Sequence, residues 1–268
     1  MRVSARTKTV FRLFCFLILA FLYAPIVTNF VFSLNSDRFP TIPLGEATLD
    51  WYRLAFTDDL LRSALLNSVI VGAIVAPVST LMGFAAAYAD YRFNFFGKRL
   101  ILVLALLPPL IPLVVIGLAM LAYLSRIGLS GTLPAIVASH IVLTSPFAMA
   151  IIRLRFAQID GDLEFAAQNL GASNWRAFRE VIIPSTKTAV LAAALLCLAV
   201  SFDEYAVTWF VGGLNETTSV RILSFLQSAV SPRINAIGSV TFIVSITLIL
   251  GAQFLLLRKG TGGIGNAR

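Results

Sequence analysis

Ile159-Asp160-Gly161-Asp162-Leu163-Glu164-Phe165-Ala166-Ala167-Gln168-Asn169-Leu170-Gly171-Ala172-Ser173-Asn174-Trp175-Arg176-Ala177-Phe178-Arg179-Glu180-Val181-Ile182-Ile183-Pro184 is a polar, helix-forming stretch set between two long apolar runs. Its spacing predicts two short helices with a break between them. Asp160 or Asp162 offers a cap for the first, and Glu164 sits near its positive N-terminal end. Leu163, Ala166, Ala167 and Leu170 recur at helical spacing and form an apolar face of mostly small residues. Gly171 stands where that helix should stop, at the position that takes a left-handed backbone. Ser173 or Asn174 can cap the second helix, whose apolar face is Ala177, Phe178 and Val181. Pro184 is expected to end it and turn the chain back into an apolar run.

The flanking runs belong to a set. A membrane helix needs about 20 mostly apolar residues to cross about 30 Å of hydrocarbon. Six stretches meet that requirement: 10–32, 66–89, 100–124, 133–152, 188–211 and 236–257. Only 13% of the chain is charged and its mean hydropathy is +0.88, where a soluble domain carries about 25% charged residues. Lipid is therefore the expected solvent, and in lipid such runs are helices, because the backbone must satisfy its own hydrogen bonds. The expected fold class is an all-α membrane protein with six transmembrane helices in a single domain, 1–268. Arg2, Arg6, Lys8 and Arg12 before the first run also resemble a secretory signal. The apolar residues continue to Phe32, however, and Asn35-Ser36-Asp37 comes next without a small-x-small cleavage site. The run reads as an uncleaved helix.

The charges orient the spans. The net charge is +8. With the N-terminus inside, fifteen of the 21 Lys and Arg residues fall in inner segments and six in outer ones. Both termini are then cytoplasmic, and 153–187 is the one long cytoplasmic loop. The basic excess is accounted for by topology and anionic headgroups, with no need for nucleic acid. On the outer side, 49–65 carries Trp51, Tyr52, Leu54 and Phe56 and reads as an amphipathic segment at the interface.

Several chemistries find no residues to carry them. Cys15 and Cys197 lie singly in apolar runs and supply neither a disulfide framework nor metal-ligand spacing. The single histidine, His140, lies near Thr144 and Ser145 and reads as an interhelical hydrogen-bonding residue rather than a ligand. No phosphate loop occurs, since Gly97-Lys98 is followed by Arg99 and Lys259 by Gly260. Two polar or strained features stand inside the spans. Pro108, Pro109 and Pro112 must kink or open the third span, either as a path-lining bend or as a packing kink, and Pro146 is placed similarly in the fourth. Asp203 and Glu204 sit in the fifth span, where a carboxylate costs about 2–3 kcal/mol towards the membrane interior. They read as a cation-attracting element of a path, with one of the two facing inward, or as carboxylates that snorkel or stabilise a gate.

The 153–187 loop resembles the signature of the inner-membrane permeases of binding-protein-dependent ABC importers. That signature is Glu-Ala-Ala, a Gly four residues after the second Ala, and an apolar-x-apolar-Pro ending thirteen residues after the Gly. Ala166, Ala167, Gly171, Val181, Ile183 and Pro184 stand at the matching places. Phe165 stands where the family usually has the signature Glu, with Glu164 just before it, so no ion pair is expected from that position. The resemblance runs over nearly the whole chain. It implies a type I importer transmembrane fold whose coupling helix, around Glu164, Phe165, Ala166, Ala167, Gly171, Ala172, Val181, Ile183 and Pro184, docks on a cytoplasmic ATPase. It further implies two ATPase copies carrying ATP and Mg, a second homologous permease, a periplasmic substrate-binding protein and the bacterial inner membrane. The chain itself would be neither an enzyme nor the holder of a cofactor. The bland alternative for the loop is an amphipathic helix lying on the inner leaflet.

Within that family the chain looks most like the polyamine permeases. The likeness rests on Tyr91-Arg92-Phe93 with Gly97-Lys98, Ser139-His140, Ser201-Phe202-Asp203-Glu204 and Val230-Ser231-Pro232-Arg233-Ile234-Asn235-Ala236. It implies half of a translocation path for a small polar cation such as putrescine or spermidine. Related subunits serve opines, amino-acid derivatives, phosphonates and ferric iron. An ion-coupled secondary carrier would need paired repeats around a midplane site, and the proline-rich bend has no counterpart in the second half. A membrane-embedded enzyme would need a catalytic constellation, and the chain has no paired His, zinc spacing or nucleophile elbow.

Overall fold

The computed structural model describes residues 5–37, 43–228 and 232–257. Arg2, Arg38, Val230, Ser231, Arg258, Lys259 and Arg268, which contribute to the charge count or the family motif, lie outside the described residues. Among the described residues every named element is a helix, with one isolated bridge between Asn35 and Ala47. Five helices among the described residues are long and apolar enough to cross a membrane: Arg6–Ser33, Asp59–Arg92, Leu133–Phe156, Asn174–Asp203 and Pro232–Phe254. Leu113–Arg126 is a shorter apolar helix. The chain divides into two units, Met1–Arg62 with Ser224–Phe242 and Ser63–Leu223 with Ile243–Arg268.

The first unit holds α1 (Ala5–Ser33), α2 (Asp50–Thr57) and the opening turns of α12 (Pro232–Leu257). Polar side chains fasten these apolar helices. Asn29 donates to the Asn235 carbonyl and to Ser239 Oγ, and Phe30 meets Phe242 edge-on at 5.9 Å. Tyr52 shares a hydrogen bond with Ser33, and Trp51 donates its indole N–H to the Asn35 carbonyl. The amphipathic stretch expected over 49–65 is only half a separate helix. Asp58 turns extended and its carboxylate accepts from Leu61 N at 2.8 Å, so α3 (Asp59–Arg92) starts there as a capped helix.

The second unit is built on α3, α6 (Leu133–Phe156) and α9 (Ile183–Asp203). Its core mixes small and branched residues: Ala76, Ala87, Ala148, Ala193 and Cys197 pack with Met149, Ile152, Phe156 and Ile182. Small side chains let helices approach closely where lipid offers no hydrophobic driving force. A close crossing of α3 and α6 lies at Gly83, where a Cβ would stand 2.5 Å from Met149 N and 2.6 Å from Ala148 Cβ. Buried hydroxyls add a polar seam, with Ser79 and Thr144 at 2.7 Å and Ser68 and Thr218 at 3.1 Å.

Three expected elements take a different form. The third span, 100–124, is not one helix. It divides into α4 (Lys98–Leu106), a 3-10 turn (Pro108–Leu110) and α5 (Leu113–Arg126), with Ile111 extended. The prolines supply no N–H to continue the ladder, and Ile111 takes the extended backbone favoured before a proline. The fifth span, 188–211, breaks after α9, and α10 (Ala206–Val211) resumes beyond Glu204. Finally, Pro184 does not end the second loop helix. α8 (Asn174–Ala177) passes through a π segment (Phe178–Ile182) straight into α9. The proline ring would strike the carbonyl of Glu180 in a regular α-helix, and the wider π turn at that residue relieves the clash.

Gly83→Val should push carbons into the α6 backbone and cost about 1–3 kcal/mol through overpacking, lowering the thermal midpoint in detergent. Gly72→Ala, whose new Cβ meets only the flexible end of Leu198, should melt much closer to wild type. Equal midpoints for the two would refute the close α3–α6 crossing.

Candidate functional site

The loop between α6 and α9 is closed by its own backbone and capping groups. Asp160 Oδ1 accepts from Asp162 N at 3.1 Å and opens α7 (Asp162–Asn169). At the other end Gly171 has φ +89°. Gly171 N donates to the Gln168 carbonyl at 2.9 Å and Ala172 N to the Ala167 carbonyl at 3.0 Å. These are the paired bonds of a Schellman stop, which satisfies carbonyls that the helix end would orphan. Ser173 Oγ accepts from Arg176 N and starts α8, while Gln168 donates to Asn174 Oδ1 across the turn.

Glu164 makes the ion pair that is not expected from position 165. It is 4% exposed, and its carboxylate lies 3.1 Å from Arg92 Nε at the end of α3. The Arg92 guanidinium also lies over the Phe165 ring, 5.5 Å from its centroid. One guanidinium therefore gives its edge to the carboxylate and its face to the neighbouring ring. The ion pair thus comes from the residue before the signature position, and Phe165 reinforces it. In the sequence Arg92 stands out as one of the inner basic residues and as part of Tyr91-Arg92-Phe93, and neither points to Glu164. Its one available signal is a cation at the end of an apolar run, facing a loop with acids.

The remaining signature residues divide between two places. Phe165, Ala166 and Gly171 are exposed and Ala167 and Ala172 half-buried, all within the compact turn; Val181 lies in the π segment, and Ile183 and Pro184 open α9. Leu163, Leu170 and Trp175 are also exposed, Leu170 at 90%. The face expected to be apolar thus points away from this chain's own core, while Glu164 faces inward. A second anchor joins the same end of the unit: Asp90 near the end of α3 pairs with Lys98 at 3.2 Å and with Arg153 at the end of α6.

The acidic pair has separate fates. Glu204 is 7% exposed, and its Oε1 accepts from Val207 N at 2.9 Å, capping the start of α10. Asp203 is exposed, and its Oδ1 accepts from Ser245 Oγ of α12 at 2.7 Å. Fully buried His140 staples the break between them and α10. Its Nδ1 lies 2.9 Å from Ser201 Oγ on α9, and its Nε2 lies 2.7 Å from Thr208 Oγ1 on α10. A neutral imidazole has one donor and one acceptor nitrogen, so both hydroxyls can be satisfied at once.

The proline bend lies elsewhere. Pro108 lines a 310 Å³ cavity with Gly83, Ala105, Ser145 and Pro146; Pro109 is half-buried and Pro112 exposed. The two breaks are related through the helices beyond them. α5, after the prolines, packs on α10, after Glu204: Ile116 clusters with Val207, and Gly117 leaves room for the Phe210 ring.

Comparison with known proteins adds an independent line. Residues 77–259 match the family model described as binding-protein-dependent transport system inner membrane component. The chain is 30% identical over 247 residues to the spermidine/putrescine transport system permease protein PotC of Haemophilus influenzae, covering 92% of this chain and 95% of that one. It is 29% identical over 240 residues to the putrescine transport system permease protein PotI of Escherichia coli, covering 87% and 82%. Among solved structures it resembles a chain of the bacterial alginate ABC transporter in complex with an alginate pentasaccharide-bound periplasmic protein. That match has a TM-score of 0.69 at 17% identity, over 96% of this chain and 98% of the other.

His140→Leu should leave the Ser201 and Thr208 hydroxyls without their imidazole partner and cost about 1–2 kcal/mol. His140→Gln, which can still donate and accept, should recover part of the lost thermal midpoint. A leucine variant that melts like wild type would show that the staple contributes nothing.

Proposed function

The chain belongs to the inner-membrane components of binding-protein-dependent transport systems, the permeases of ABC importers, and we propose that it forms half of a translocation path for a small polyamine-like cation. It is a multi-pass membrane protein with the type I importer fold. The substrate class, putrescine or spermidine, is supported by similarity over most of the chain to permeases named for those solutes. In this reading 1–268 is one permease domain in a bacterial inner membrane, with both termini cytoplasmic. It pairs with a second homologous permease, with two cytoplasmic ATPases that hold ATP and Mg²⁺, and with a periplasmic binding protein that delivers the cargo.

The observation that carries the coupling role is the α7 turn: a short helix, clamped to α3 through Arg92–Glu164, with Leu163, Ala166 and Leu170 left uncovered. A partner groove is the natural cover for such a face, and the ion pair lets a push on it reach α3. Closure of the ATPases would draw the two loops together and open the path outward; hydrolysis would reset it inward. Within the path Asp203 is the better placed acid. Glu204 is occupied as a cap, whereas Asp203 is exposed beside the break and held by one serine. A carboxylate in a partly dehydrated channel attracts a passing ammonium more strongly than in water, yet it must release the cargo. Pro108, Pro109 and Pro112 serve as the bend that opens the third span beside this path.

The deciding experiment is uptake into proteoliposomes that contain the permease pair and its ATPase, with binding protein outside. Spermidine or putrescine should accumulate only with ATP on the ATPase side and should stop with vanadate. Accumulation driven by an ion gradient alone would overturn the importer mechanism for this chain.

Asp203→Asn should slow uptake by about fivefold to tenfold, the scale of one lost charge contact, with cargo binding to the external protein unchanged. Glu204→Gln retains an acceptor for Val207 N and should transport near the wild-type rate. The reverse ranking would place the cargo contact on Glu204.

A further inference from the structure

We infer that a chain of aromatic rings, Trp175–Phe178–Tyr88 with Phe84 and Phe156, passes displacement of the 162–173 turn sideways into α3 and α6. The inference rests on the coupling role proposed for that turn and assigns the residues that carry its motion. Trp175, two-thirds exposed on α8 directly after the turn, stacks on Phe178 at 5.6 Å and 27°. Phe178 meets Tyr88 at 5.1 Å and Phe84 at 6.1 Å, both on α3. Phe156, at the end of α6, meets Phe84 at 5.8 Å and Tyr88 at 5.9 Å, and stacks on Tyr91 at 4.9 Å. An unbroken path of rings thus runs from the exposed surface of the loop to the ends of two other spans.

Two properties make this path a transmitter rather than filling alone. Phe84, Tyr88 and Phe178 are half-buried, and Phe84 and Phe178 border a cavity, so the shift passes through direct ring-to-ring contact at the separations given above, where a displaced ring presses on its neighbour. Flat rings also have few internal rotations with which to absorb a shift. The backbone beside them has the opposite character. Phe178 is the first residue of the π segment (Phe178–Ile182), the one departure from regular helix between α8 and α9. A π turn is the weak point of a helix and a common site of bending. A push on α8 is therefore absorbed along the axis towards α9, while the ring of Phe178 delivers it across to Tyr88, Phe84 and Phe156. Arg92–Glu164 is a second, electrostatic link from the same turn to α3. The rings add α6, which that ion pair does not reach. These are positioning residues that act through the spans and not on the cargo.

The test uses the full assembly in proteoliposomes and reads solute moved per ATP hydrolysed. Phe178→Leu and Tyr88→Leu should keep binding-protein-stimulated hydrolysis while solute per ATP falls about fivefold to tenfold, within the range by which mutations along a coupling network alter it. Phe178→Met retains volume and assembly but replaces a stiff ring with a flexible chain, so it should lower the ratio even if the leucine variant assembles poorly. The Phe178→Leu, Tyr88→Leu double variant should be no worse than the worse single one, because both interrupt one path. Hydrolysis and transport falling in proportion, an unchanged ratio in Phe178→Met, or additive losses in the double variant would each overturn the inference. A wild-type assembly whose uptake ignores ATP would instead sink the coupling role itself.

Discussion

An apolar solvent leaves backbone amides and carbonyls with nowhere to turn except to the protein itself. That constraint shapes this chain more than any single contact. It makes the long runs helical, and it dictates what must happen wherever a helix stops inside the bundle. At Glu204 the ladder ends, and the side chain of the same residue bends round to accept from Val207 N. At Thr132 the hydroxyl accepts from Ala135 N to start α6. In the exposed loop outside the spans the amides of Gly171 and Ala172 likewise fold back on the last turn of α7. Each interruption carries its own repair, and each repair falls on a residue that looks out of place in an apolar helix.

Close approach is the second consequence. Because lipid tails compete with apolar side chains on equal terms, helices adhere through fit and through hydroxyl contacts. Gly83 against the α6 backbone, Gly117 under Phe210 and the Ser79–Thr144 pair are the places where that fit is made. The imidazole of His140 serves the same end, joining α6 to both sides of a broken helix. The halves beyond the two breaks, α5 and α10, lie against each other, so the proline bend and the acidic break bound one local packing unit.

What the sequence reveals, and where it falls silent, depends on the range of the forces involved. Span length and apolarity are properties of consecutive residues, and so are the glycine stop at 171 and the proline opening near 108; all are legible. The break at Glu204 is not, because a glutamate ends a helix only when its carboxylate finds an amide in the folded bundle. The π segment is equally hidden: Pro184 announces a disturbance, but a proline by itself does not say whether the helix stops or widens. Glu164 shows the same limit most plainly. A signature match draws the eye to the missing carboxylate at 165, whereas the ion pair requires knowledge that Arg92 ends α3 beneath that turn. Comparison with relatives supplies the family, and geometry supplies which residues touch.

Gly171 has φ +89°, and a Cβ built there would meet nothing within 4 Å. A Cβ there has room; what is restricted is the hand of the backbone. An L-side chain is strained in that region of φ whatever its size, while a D-residue enters it at no such penalty. D-alanine at this single site, introduced by chemical ligation, would be at ease where L-alanine is strained. The turn that closes α7 thus suits a mirror-image residue, and glycine is the genetically encoded amino acid that takes that hand with the least strain.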